Sequence, residues 1–132
     1  SAEINIIEEN DTLKINLSGK NMGLIIGYRG ETLDSIQYLV SLVVNKHYEL
    51  PHKKVILDTE NYRSKREETL KGVALKSASR VKKNGKAYKL EPMNPYERRI
   101  IHSALQNNSD VKTYSEGEEP FRRVVIELNR NI

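Results

Sequence analysis

The segment Ile25-Ile26-Gly27-Tyr28-Arg29-Gly30-Glu31-Thr32-Leu33 constrains this chain more than any other. Two glycines bracket Tyr28 and Arg29, with apolar, helix-compatible residues on either side. Glycine has no Cβ, so a loop closed by glycine at both ends can bring its backbone close to a bulky ligand. A helix opening after Gly30 would direct unsatisfied N–H groups and a positive dipole end at that loop, which suits phosphate. Arg29 adds a planar donor fork for the same anion. The combination describes a clamp for a nucleic-acid backbone; the bland alternative is a tight helix–helix turn with no ligand.

Gly-x-x-Gly alone is a weak pattern, and its flanks supply the specificity. Residues 3–8 and 12–18 read as two strands around the turn-prone pair Asn10-Asp11. In the second, Leu13, Ile15 and Leu17 alternate with Lys14 and Asn16, which buries one face. Asn21 is the expected N-cap of a short helix through Ile26. Leu33, Ile36, Val40, Val43 and Val44 then fall at helical spacing, predicting a helix from Glu31 to His47. Glu31 and Asp34 suit its N-terminus. Pro51 ends the connection, and Lys53 to Asp58 is the next strand. Strand, short helix, glycine loop, long helix, strand over residues 3–58 resembles the core of a K-homology (KH) domain. The resemblance implies room for about four single-stranded nucleotides, with the backbone against the loop and the bases along an apolar groove. Ile25, Ile26, Ile36 and Val55 are the expected groove, with Tyr28 as a stacking platform.

Charge is distributed unevenly. The net charge of +4 conceals a segment, residues 60–89, with 10 basic and 3 acidic side chains. Residues 1–59 carry 6 and 8, and residues 90–132 carry 6 and 7. Concentrated positive charge is the electrostatic footprint of a polyanion binder, although most charge runs are solvated helix faces. The same segment predicts a long helix over residues 60–83, with Leu70, Ala74, Ser77 and Val81 on one narrow arc. Lys65, Lys76 and Lys83 fall opposite, and Asn84-Gly85 ends the helix.

Beyond it, Lys86 to Leu90 reads as a short strand. Asn94-Pro95-Tyr96-Glu97 is a strong helix start, with Asn94 as N-cap, Pro95 first and Glu97 third. That helix should end near Asn107-Asn108. Val111 to Ser115 and Phe121 to Leu128 then make a hairpin across the acidic loop Glu116-Gly117-Glu118-Glu119-Pro120. Arg98 and His102, four residues apart, share one face of the helix, and Arg99 lies about 100° round. Arginine offers a bidentate fork for phosphate, and histidine a further donor or a stacking ring. Arg123, on the last strand, is a further candidate for this patch.

In isolation, Arg-x-x-x-His says little. Its context, Glu91-Pro92-Met93-Asn94-Pro95-Tyr96-Glu97-Arg98-Arg99-Ile100-Ile101-His102, closely resembles the signature of the Arg-three-His domain, a single-stranded nucleic-acid-binding module. Ser115 to Ile126 resembles the end of that domain. A KH domain followed by this one resembles the bacterial Jag family, also called KhpB. The expected fold is therefore α+β: a KH-type α/β sandwich over 1–59, then an R-x-x-x-H domain with a three-stranded sheet over 60–132. Family members usually carry a further N-terminal Jag domain and linker, which are not expected in the sequence given. The resemblance implies a cytoplasmic protein that binds single-stranded RNA, an RNA chaperone or post-transcriptional regulator linked to cell elongation and envelope homeostasis. It also implies a small KH partner protein.

Two other classes compete: a dimerisation module with secondary nucleic-acid binding, and a single-stranded DNA binder. Catalysis is disfavoured. Ser18-Gly19-Lys20 lacks the upstream glycine and the following hydroxyl of a P-loop. His47, His52 and His102 have no metal-ligand spacing, and no carboxylate pair suggests an acid and a base. No cofactor or metal is expected. With no cysteine, disulfides are impossible, which fits a reducing compartment. Tyr38 to Val44, the longest apolar stretch, is too short to span a bilayer, so no membrane contact is expected.

Overall fold

The computed structural model describes residues 2–46 and 52–130. The expected helix end at His47 and the break at Pro51 lie outside the described residues. The chain divides into two compact units, Ser1–Arg66 and Glu67–Ile132.

In the first unit, β1 (Ala2–Glu9) and β2 (Thr12–Gly19) form an antiparallel pair across Asn10-Asp11, in register from Ala2↔Gly19 to Glu9↔Thr12. A one-turn helix, α1 (Gly23–Ile26), follows. Asn21 does not cap it. Its own backbone is left-handed, with φ 61°, and its carbonyl accepts the Leu24 N–H at 3.3 Å, while Met22 occupies the cap position without a side-chain bond. The Gly27–Gly30 turn leads into α2 (Glu31–Asn45). Then β3 (Lys54–Thr59) returns parallel to β2, giving the order β1-β2-β3.

Asn45 closes the end of this crossover. Its side-chain amide donates to the Lys53 carbonyl at 2.9 Å and its oxygen accepts the Lys53 N–H at 2.7 Å. Met22, Leu33, Val55 and Leu57 form the buried apolar centre. Thr59 is also fully buried, and its hydroxyl is satisfied by the Leu17 carbonyl at 2.7 Å.

The long helix α3 (Tyr62–Asn84) runs through the boundary between the units. Leu70, Ala74, Ser77 and Val81 are all buried, as their arc predicts. After it, β4 covers only Tyr88–Lys89, shorter than the expected strand. Helix α4 (Pro95–Leu105) starts where the sequence places it, with the Asn94 side chain accepting the Glu97 N–H at 2.8 Å. Such a cap stabilises a helix by about 1 kcal/mol. Strands β5 (Val111–Glu116) and β6 (Arg123–Leu128) form the hairpin, and the sheet order is β4-β6-β5. Ala78, Val81, Ile101, Leu105, Val111, Val124 and Ile126 pack into the core between helices and sheet. The architecture is thus mixed α and β, with two three-stranded sheets. No helix among the described residues is long and apolar enough to cross a membrane.

Candidate nucleic-acid interface

Three of the four residues of the glycine turn have positive φ: Gly27 (72°), Arg29 (55°) and Gly30 (77°). The missing side chains are demanded first by the fold. A Cβ on Gly27 would collide with the Thr32 side chain. One on Gly30 would lie 2.6 Å from the ring of Tyr62, at the start of α3. Gly30 is accordingly buried. The outward side of the turn belongs to the other two residues. Tyr28 is 69% exposed, and the Arg29 guanidinium lies 4.9 Å from its ring centroid. A cation–π contact of this kind sets the guanidinium beside an exposed phenol at the tip. Chemically, that tip can receive a phosphate and stack a base.

Beside the turn, Ile25, Ile26 and Ile36 are half-buried and Leu24 is exposed, so an apolar platform is present. Val55 does not belong to it. That side chain is 5% exposed and points with Leu57 and Thr59 into the core; Ile56 takes the opposite face of β3. The α3 residue Arg63 is structural. It pairs with Asp34 at 2.7 Å and donates to Gln37 Oε1 and the Leu57 carbonyl, which ties α2 to β3. Other positive charges of the basic segment are also compensated: Lys82 by Asp110 at 3.1 Å and Lys89 by Glu116 at 3.5 Å. Lys76 and Lys83 are exposed and make no ion pair among the described residues.

The second constellation is more enclosed than helical spacing suggests. Arg98 is 8% exposed. Its Nη1 donates to the Met93 carbonyl at 2.6 Å, and its Nη2 pairs with Glu119 Oε1 at 2.6 Å. Both ring nitrogens of His102 are engaged, Nδ1 with Thr113 Oγ1 at 2.7 Å and Nε2 with Ser115 Oγ at 2.9 Å. Desolvation and then the Arg98 charge lower the pKa of His102, so at neutral pH the ring is an uncharged donor–acceptor. Arg99 is exposed on the next helix position.

Arg123 is not brought to this patch. Thr113 and Ser115 face His102, so Tyr114 and Glu116 face away. Arg123 is the register partner of Glu116 and joins it on that far side, at 2.9 Å. The Arg123 hydrogen bond lowers the Glu116 pKa most; desolvation opposes it, and the charges of Lys89 and Arg123 add to the lowering. The neighbouring Arg122, just ahead of β6, donates to the carbonyls of Gly117 (2.6 Å) and Ser115 (3.3 Å). Sequence reasoning missed Thr113 and Ser115, the partners of His102. Their alternation along β5, at positions two apart, was the available signal. Among the described residues no cluster of histidines and carboxylates could hold a metal ion.

Fold and motifs together define a two-module protein, a KH domain followed by an Arg-three-His domain: residues 1–58 match the "KhpA/KhpB, KH domain" model and residues 68–128 the model of the Arg-three-His (R-x-x-x-H) domain. The chain is 58% identical over 127 residues to the RNA-binding protein KhpB of Clostridium symbiosum, covering 94% of this chain and 57% of that protein. It is 40% identical over 131 residues to KhpB of Bacillus subtilis (strain 168), covering 98% and 62%. KhpB of Lactiplantibacillus plantarum is 36% identical over 130 residues, with 98% and 40% covered. The chain belongs to the Jag/KhpB family, and it spans roughly three fifths of the length of the first two relatives.

Proposed function

We propose that this chain binds single-stranded RNA through two sites, one on each module. The observation that carries the reading is the Tyr28–Arg29 tip, which offers a guanidinium and an aromatic face beside a half-exposed apolar platform. Arg29 takes a phosphate, Tyr28 stacks a base, and Ile25, Ile26 and Ile36 line the path of the neighbouring bases. Gly27 and Gly30 set the turn that presents the tip. In the second module Arg98, Arg99 and His102 take a further segment of the strand. Arg123, on the far face of its sheet, is left out of that site. The names of the relatives support RNA as the polymer, and an RNA chaperone or post-transcriptional role in the cytoplasm follows from that reading. A link to cell elongation and envelope homeostasis is part of the same proposal.

Arg29→Asp is the cleanest test, because Gly27→Asp would also strain the backbone. Affinity for a short single-stranded RNA should fall by about tenfold or more with no change in melting temperature. Unchanged affinity in the folded variant refutes the site. The logarithm of the binding constant should also decline with log salt at about −0.7 per phosphate contacted. Competition between matched RNA and DNA oligomers decides whether the 2′-hydroxyl is read.

A second reading, a protein-interaction module, has its own observation. Tyr38, Leu39, Leu42 and Val43 on α2 and Ile4 and Ile6 on β1 are all exposed, which suits a small KH partner or a second copy. Leu42→Glu should then abolish self-association or partner binding in light scattering while leaving RNA affinity intact.

A further inference from the structure

We propose that Glu119 is a built-in competitor for the anion site at Arg98, an affinity-setting residue whose carboxylate must leave before an RNA phosphate can enter. The proposal rests on the reading that Arg98 belongs to the second RNA site.

The two partners of Arg98 differ in kind. The Met93 carbonyl is backbone, fixed just ahead of the α4 cap. Glu119 sits on the loop between β5 and β6, and its side chain is 51% exposed against 10% for Arg98. The guanidinium is therefore held in place while the carboxylate is free to swing into water. The loop itself need not move. Arg122 anchors it through the carbonyls of Gly117 and Ser115, independently of the Glu119 side chain.

Glu119 reaches Arg98 through one oxygen, Oε1. A phosphodiester presents two non-bridging oxygens, which a guanidinium fork binds side by side. The incoming phosphate thus gains a hydrogen bond that the carboxylate does not make, and Glu119 regains hydration on release. Against this stands the loss of an existing ion pair. For a lone phosphate the exchange is nearly balanced. A strand already held at neighbouring contacts arrives at high effective concentration and tips it. Glu119 so tunes the second site toward polymers and away from free monophosphates, a discrimination that positive charge alone does not provide.

The test is anisotropy of a short fluorescein-labelled oligouridylate bound to the whole chain at fixed ionic strength. Glu119→Gln and Glu119→Asp should both tighten binding, by about threefold to tenfold, the loss of one half-exposed ion pair. Glu118→Gln removes an equal charge from the same loop without touching Arg98, so it should change binding by less than about twofold. Glu119→Asp keeps the charge and is one methylene shorter, so tightening there cannot come from loop charge; it also carries the test if Glu119→Gln does not fold. The proposal is overturned if Glu119→Asp binds as wild type does, if Glu119→Gln and Glu118→Gln behave alike, or if both Glu119 variants bind more weakly with unchanged melting. Arg98→Gln separates the two levels. Wild-type affinity in that variant sinks the second RNA site itself, whereas weakened affinity without tightening in the Glu119 variants sinks only the competitor.

Discussion

The glycine turn and the Arg98–His102 patch use the same residue types in opposite ways. At the turn, the arginine is half-buried and lies against the exposed ring of Tyr28. In the patch, the arginine is buried against a carboxylate and a carbonyl, and both histidine nitrogens are already engaged. The contrast teaches that counting cations does not measure the positive charge available to a ligand. Among the cations of residues 60–89, Arg63 is likewise paired within the chain with Asp34, Lys82 with Asp110 and Lys89 with Glu116. Availability follows from what faces each side chain.

The largest way to break this comparison is at the turn itself. Gly30→Val would put a branched side chain at positive φ against the Tyr62 ring, a loss of about 3 kcal/mol from backbone strain and overpacking together. Urea denaturation should show it; a variant as stable as wild type would mean that α3 does not brace the loop.

A smaller effect sharpens the difference between the two arginines. Arg98→Met leaves the Met93 carbonyl without its side-chain donor and should cost about 1–2 kcal/mol. Arg29→Met, at a half-buried side chain whose ring contact is with an exposed tyrosine, should cost less, about 0.5–1 kcal/mol. Equal losses in the two variants would erase the distinction between an enclosed and a presented guanidinium.

The smallest effect is a pH dependence confined to the patch. His102 has a lowered pKa in the folded chain, by desolvation first and the Arg98 charge second. Between the folded and unfolded values the unfolded chain binds more protons, so stability rises with pH across that interval. The His102 contribution is therefore full above the ordinary value of 6.5 and is lost as pH falls through it toward the folded value. Stability curves measured on either side should differ for wild type and become flatter in His102→Gln. An unchanged slope would remove His102 as the titrating group.

Much of this organisation was legible in the residues. The Asn94-Pro95 start, the arc of Leu70, Ala74, Ser77 and Val81, and the glycine turn are each readable from neighbours in sequence, although Gly30 also answers to the distant Tyr62 ring. The errors share a cause. Val55-Ile56-Leu57 and Val124-Val125-Ile126 are unbroken apolar runs, and such a run hides the parity that decides which way each strand residue points. A wrong parity assigns Val55 to the groove, one residue away from the half-buried Ile56, and Arg123 to the patch, although its register partner Glu116 faces away from His102. Asn21 failed as a cap for another reason: its side chain can also support a left-handed turn, and that conformation prevailed.

What the amino-acid order determined alone were the elements, their caps and the two motifs, because these depend on neighbours within one or two helical turns. The tertiary structure decided which cations stay accessible. Glu119 lies 21 positions from Arg98 and reaches it only after the β5–β6 hairpin has folded back on α4. Electrostatic pairing of that range depends on distance in space, and local pattern does not encode it.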